Sequence, residues 1–175
     1  MSIEQMVAQT FKIIDRYEQF LTQVTEQDFQ VNPTVGVWSY SEVISHIFTA
    51  NHACLIAIQN CVQGKAIESR EPASISGRLI LFFGIFPPVK IKAPERIAAM
   101  VKKITKEEAQ IELQKFRENL MELLPKMEQA SPTQKAKHPR LGLFNVRQWL
   151  RFIQIHTLHH EKQLYRVKGM LEKSR

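Results

Sequence analysis

Apolar residues return every three or four positions through four long segments of this 175-residue chain. That period commits most of the chain to amphipathic helices packed on one another. Ile3, Val7, Phe11, Ile14, Tyr17, Leu21 and Val24 define a first helix over about 3–24. Asn32-Pro33-Thr34-Val35-Gly36 breaks the chain after it. Ser39-Tyr40-Ser41-Glu42 is a capping box, Ser with Glu three later, and opens a second helix that Gly64 ends. Val43, His46, Ile47, Ala50, Ala53, Cys54, Ala57 and Cys61 are expected to form its inner face. Thr105 with Glu108 opens a third helix, whose Ala109, Leu113, Phe116, Leu120, Leu124 and Met127 run towards Ala130, with Pro125 expected to kink or shorten it. Asn145 with Gln148 caps a fourth, with Trp149, Ile153, His156, His160, Leu164 and Val167 inside and Gly169 as its stop.

Between the second and third helices, Lys65–Ile104 holds Gly77, Gly84, Pro87, Pro88 and Pro94, so no long helix crosses it. The expected fold is therefore all-α: a four-helix bundle with a long crossover between helices two and three, one domain over 1–175. The apolar run Leu79–Phe86 is expected to lie against the bundle or to offer a partner surface, with membrane contact the less favoured alternative. Ser131–Phe144, punctuated by Pro and Gly, is read as a loop.

Leu79–Phe86 is also the longest apolar stretch, far short of the roughly 20 residues of a membrane helix. The first residues lack the basic and apolar regions of a secretory signal. Cys54 and Cys61, about 10 Å apart along one helix, cannot bridge and read as reduced core thiols. The expected location is the cytoplasm, with no membrane partner. Net charge is +7, and residues 131–175 alone carry ten Lys and Arg against two Glu. A solvated helix face is the ordinary meaning of such a bias. No helix-turn-helix or aromatic-interleaved strand motif accompanies it, which argues against nucleic acid as a partner.

Three histidines fall on or beside the apolar stripes. His156 and His160 stand one turn apart on the fourth helix, and His46 lies in the second turn of the second. A single histidine in such a place is ordinarily a hydrogen-bonded core residue. Three together favour a metal site, because an i,i+4 pair aims two nitrogens at one point. Neutral imidazoles suit Zn²⁺, Ni²⁺ or Fe²⁺, and three protein ligands leave a position open for water or substrate. His52 lies about 240° around the helix from His46 and is excluded. His159 reaches at most the rim, and Glu161 is expected to pair with Arg or Lys on the surface. Cys54 and Cys61 read as packing residues rather than nucleophiles. Trp38 and Trp149 read as core or helix-entry anchors, with Trp149 as a candidate wall of a substrate pocket. The His-Glu-x-x-His signature of zinc proteases is absent, as is a Gly-rich phosphate loop.

Trp38-Ser39-Tyr40-Ser41-Glu42 leading to His46 resembles the second helix of the DinB/YfiT-like superfamily. His138-Pro139-Arg140-Leu141-Gly142, Gln148-Trp149-Leu150, His156-x-x-x-His160 and Gln163-Leu164 resemble its last helix and the approach to it. The resemblance implies a four-helix bundle, often a homodimer, binding a divalent metal. The implied ligands are His46, His156 and His160, the same three that the helical spacing selects. It further implies, for some relatives, transfer or isomerisation with low-molecular-weight thiols such as bacillithiol, mycothiol or glutathione.

The leading expectation is a metal-dependent enzyme acting on a small-molecule substrate, a thiol-dependent S-transferase or a hydrolase. Arg147 and Arg151 are candidates to receive an acidic thiol. The alternative is a non-catalytic metal-binding stress or sensor bundle.

Overall fold

The computed structural model describes residues 1–87 and 99–173, and the expected breaks at Pro88 and Pro94 lie outside them. Helix α1 spans Ile3–Gln23 and starts at a capping box in which Ser2 and Gln5 exchange side chain and backbone bonds. Helix α2, Glu26–Gln30, follows at once on Thr25, whose hydroxyl accepts from the Asp28 N–H. This short helix was not anticipated, and it buries Phe29 completely. Helix α3 spans Tyr40–Val62, strand β1 Ile67–Glu68 and helix α4 Ile75–Phe83. Helix α5 runs over Lys106–Met127, strands β2 and β3 over Gln134–His138 and Gly142–Phe144, and helix α6 over Val146–Lys173.

The expected capping boxes are formed. Ser39 and Glu42 close reciprocally on α3, as do Thr105 and Glu108 on α5. Asn145 and Gln148 likewise exchange backbone N–H groups at the start of α6. Each such pair satisfies donors that a helix leaves unpaired at its first turn.

Among the long helices, α3 packs against α5 and α6, and α1 packs against the same two. Helices α1 and α3 therefore stand on one diagonal of the four-helix bundle, α5 and α6 on the other. The core between them is apolar, with Ile14, Leu21, Phe48, Ile58, Phe116 and Ile153 almost wholly buried. A polar seam crosses the α1–α6 contact: Tyr17 donates to the Thr157 carbonyl at 2.6 Å, and Gln154 donates to that of Met6 at 2.8 Å.

Three sequence expectations are corrected. Ser131–Phe144 is not a loop but contains a β-hairpin, with Ala136 opposite Phe144 and His138 opposite Gly142, and β1 adds a third strand beside β2. Gly142 at φ +87° supplies the left-handed backbone that its turn requires. Gly169 does not stop the last helix, which continues to Lys173 and buries Leu171. One helical glycine costs only about 1 kcal/mol, less than a further buried apolar side chain returns. Ala53, expected on the inner face of α3, is exposed. Helix α5 ends at Met127, with Pro125 in its last turn shortening it as the sequence allowed.

Helix α4 covers the end of the bundle beside the hairpin. Ala73 and Ile80 are buried, and Ser74 donates its N–H to the Leu141 carbonyl. Leu79, Phe82, Phe83 and Ile85, by contrast, are exposed. No helix among the described residues is long and apolar enough to cross a membrane.

Candidate metal centre

Histidines from two neighbouring helices converge in the bundle. His46 projects from α3 and His156 and His160 from α6, and one ring nitrogen of each lies within 4.8 Å of the others. Their ring centroids are 4.5–5.3 Å apart. All three are buried, His46 to 6 % exposure and the other two to 9 %. Among the described residues this is the group of histidine, cysteine or acidic side chains gathered closely enough to hold an ion.

The backbone around each histidine is fixed. Ser41, one turn before His46, donates its hydroxyl to the Ile104 carbonyl at 2.7 Å and accepts the Ile104 N–H at 2.6 Å. This ties the start of α3 to the segment entering α5. On α6, the Tyr17 hydroxyl meets the Thr157 carbonyl, and Asn51 of α3 donates to the Thr157 hydroxyl at 3.1 Å. Glu161, next to His160, makes a two-pronged pair with Arg16 at 2.6 and 2.9 Å, in line with its expected surface role.

The geometry selects tautomers. His160 donates its Nδ1–H to the Gln163 amide oxygen at 2.7 Å, which leaves a lone pair on Nε2. That Nε2 faces the Nε2 of His156 at 3.2 Å. Two imidazole nitrogens bound about 2.05 Å from one tetrahedral ion would stand about 3.3 Å apart. The spacing therefore fits two ligands of one metal. In the metal-free protein His156 carries the N–H of this contact. The Nδ1 atoms of His46 and His156 are buried without a hydrogen-bond partner among the described residues. Such orphaned nitrogens are costly in a hydrogen-bonded core; ligation would relieve His46 only if bound through Nδ1, and would not relieve His156, whose Nε2 faces the cluster.

Electrostatics keeps the donor set neutral. Burial pushes His46 down to about 4, helped by His159. Burial, with His46 adding, pushes His160 down to about 3, against the opposing bond to Gln163. His156 falls well below its ordinary value through burial and then through His160 and His46. Neutral imidazoles are the form that binds metal.

Aromatic rings enclose the cluster. Phe152 stacks on His156 at 5.7 Å, Trp38 lies 5.3 Å from His46, and Phe86 meets His159 at 5.1 Å and His156 at 6.4 Å. Trp38 also lines a surface depression of about 620 Å³ with Asn32, Val35, Val37 and Glu42. Trp149, foreseen as a candidate pocket wall, is buried against His138, Phe144 and Phe152. His138 accepts the Arg140 and Leu141 N–H groups on Nδ1, and burial, with Arg140, holds it at about 4.

Other candidates lie elsewhere. His52 pairs with Glu112 at 3.0 Å, away from the cluster as its angular position required. His159 sits at the rim beside Phe86 and His160, outside the three-histidine group. Cys54 and Cys61 are buried, and burial pushes the Cys54 thiol up to about 12, which removes it as a nucleophile. Arg147 donates to the Met1 carbonyl at 2.9 Å and Arg151 to the Gln154 amide oxygen at 3.4 Å. The sequence reading did not single out Gln163 as the partner of His160; its i,i+3 spacing from that histidine was the available signal.

Comparison with known proteins agrees with this architecture. Residues 11–164 match the DinB superfamily. No curated protein matches the chain. Solved structures that share the fold include the following two. YfiT from Bacillus subtilis, described as a probable metal-dependent hydrolase with an unusual four-helix bundle topology, superposes with TM-score 0.62 at 13 % identity, covering 98 % of this chain and 90 % of that one. TT2238, a four-helix bundle protein, superposes with TM-score 0.51 at 18 % identity, covering 92 % of this chain and 94 % of that one. The chain belongs to the DinB superfamily.

Proposed function

We propose that this member of the DinB superfamily is a metal-dependent enzyme whose ion is held by His46, His156 and His160. The observation that carries the reading is the pair of buried, neutral imidazole nitrogens 3.2 Å apart, with His46 completing the set. A divalent ion such as Zn²⁺, Ni²⁺ or Fe²⁺ held by these three neutral ligands would supply Lewis acidity to water or to a thiol.

The chain's own residues define what surrounds that chemistry. Gln163 holds the His160 ring in the tautomer that presents Nε2, as outer partners of metal-bound histidines commonly do. Trp38, Phe86 and Phe152 keep the surroundings apolar, which strengthens every charge interaction within. His159, half-buried at the rim, is the nearest further group able to hold or accept a proton. No carboxylate joins the three histidines among the described residues, so a proton relay through an acidic side chain is not part of the proposal.

The reaction class proposed is hydrolysis or thiol-dependent S-transfer on a small molecule. The likeness of fold to YfiT, itself described as a probable hydrolase, supports the first; the resemblance to thiol-using relatives supports the second. A cobalt-substituted sample separates catalysis from storage. Azide or a low-molecular-weight thiol should change its visible spectrum if a coordination position is open. An unchanged spectrum, with no turnover on a panel of esters, amides and thiol–electrophile pairs, would leave the non-catalytic metal-binding bundle, which the deep burial of all three histidines favours.

A further inference from the structure

Asn51 and Thr157 interrupt two apolar rows where the histidine-bearing helices meet. On α3, Ile47, Asn51, Cys54 and Ile58 recur at i, i+4, i+7 and i+11 and so share one face. On α6, Ile153, Thr157, His160 and Leu164 do the same. Asn51 is 0 % exposed and Thr157 1 %. The Asn51 amide donates to the Thr157 hydroxyl at 3.1 Å, and that hydroxyl donates in turn to the Ile153 carbonyl at 2.7 Å. The Tyr17 hydroxyl reaches the Thr157 carbonyl at 2.6 Å, so α1 meets the same residue.

Stability does not account for this pair. The Asn51 Oδ1 is buried without a partner among the described residues. A half-satisfied buried amide is costly, whereas apolar side chains of nearly the same shape would leave nothing unpaired. Exchanging both partners for such side chains is commonly neutral or stabilising.

What the pair supplies is direction. Apolar burial is non-directional and lets packed helices slide slightly, but a hydrogen bond fixes one atom against another. Single buried polar residues set helix register in coiled coils in this way. The three histidines depend on such a register. His156 and His160 are brought together by α6 alone, but His46 reaches them across the α3–α6 contact. Thr157 adjoins His156 in sequence, and Asn51 follows His46 by little more than a turn. A slip of α3 along α6 would therefore carry His46 with it, and ligand distances tolerate only about 0.2 Å.

We propose that Asn51 and Thr157 are positioning residues that set the register of α3 against α6 and so bring His46 to the metal. The inference rests on the three-histidine reading of the site.

The test compares Zn²⁺ affinity, by competition with a chromophoric chelator, and melting of the metal-free protein. The samples are the wild type, the double variant Asn51→Leu, Thr157→Val and the single variant Thr157→Ser. The double variant should melt at or above the wild-type temperature yet bind Zn²⁺ about tenfold or more weakly. Thr157→Ser keeps the hydroxyl and loses a buried methyl group, so it should do the reverse: melt lower and bind as the wild type does. Wild-type affinity in the double variant overturns the inference and leaves the metal centre standing. A large fall in its melting temperature also overturns it, since the pair would then serve stability. Lost affinity in Thr157→Ser does so as well, because the hydroxyl would not be the group that matters. A wild type that takes up no Zn²⁺, Ni²⁺ or Fe²⁺ contradicts the metal centre itself, and this inference falls with it.

Discussion

The Nε2 atoms of His156 and His160, one turn apart on α6, lie 3.2 Å from each other, and the far side of His160 is tied through Nδ1 to Gln163. The bond to Gln163 determines which nitrogen of His160 faces the cluster. Replacing Gln163 by Leu removes that acceptor and frees the ring to change tautomer. Metal affinity, measured by competition with a chromophoric chelator, should fall about ten- to a hundredfold, with the helical circular-dichroism spectrum intact. Unchanged affinity would show that packing alone orients His160.

Acid should destabilise the metal-free protein before the carboxylates titrate. His46 and His138 are held at about 4 and His160 at about 3, against 6.5 for an unperturbed histidine. Below pH 6.5 the unfolded chain takes up protons that these buried rings refuse, so the unfolded state binds more protons and stability falls with falling pH. The loss should begin near pH 6.5 and continue to about pH 4 and then 3, as the folded rings themselves protonate. Thermal melting of chelator-treated protein across that range checks it; a flat melting temperature down to pH 4 contradicts it.

Much of the frame was legible because helical burial leaves a period in the sequence. Ile3 to Leu21 and Trp149 to Val167 mark their faces directly, and the capping pairs Ser39 with Glu42 and Asn145 with Gln148 mark where helices begin. The hairpin was not legible. Gln134-Lys135-Ala136-Lys137-His138 has no apolar alternation, and its pairing with Ile67–Glu68 spans more than sixty residues. Lys135 is buried there because its ammonium reaches the Glu71 carbonyl, a contact with no local signal. The candidate site was half legible. The spacing of His156 and His160 puts them together on any helix, but His46 joins them only because α3 and α6 are neighbours in the bundle. No local pattern specifies which helices are adjacent. The outward roll of α4 was hidden for the same reason: periodicity shows that a stripe exists, not which way it faces.

The seat of α4 on the hairpin can be loosened at one atom. Gly77→Ala forces a methyl group against the Leu141 carbonyl, which as backbone cannot turn aside. The variant should lose about 1–3 kcal/mol of stability in urea unfolding, the usual cost of overpacking a close contact. Gly64→Ala is a useful contrast, since nothing lies within 4 Å of a Cβ there and only its left-handed backbone, φ +67°, resists the change. Equal and negligible losses at both positions would remove the argument that α4 is seated through Gly77.

The most direct measurement is the metal content of the purified protein by elemental analysis, wild type beside His160→Ala, with melting curves to confirm that both are folded. The account predicts about one equivalent of a transition metal in the wild type and loss of it in the variant. A folded wild type that is metal-free and takes up no added Zn²⁺, Ni²⁺ or Fe²⁺ would contradict it, and His46, His156 and His160 would then be core residues of a bundle without this chemistry.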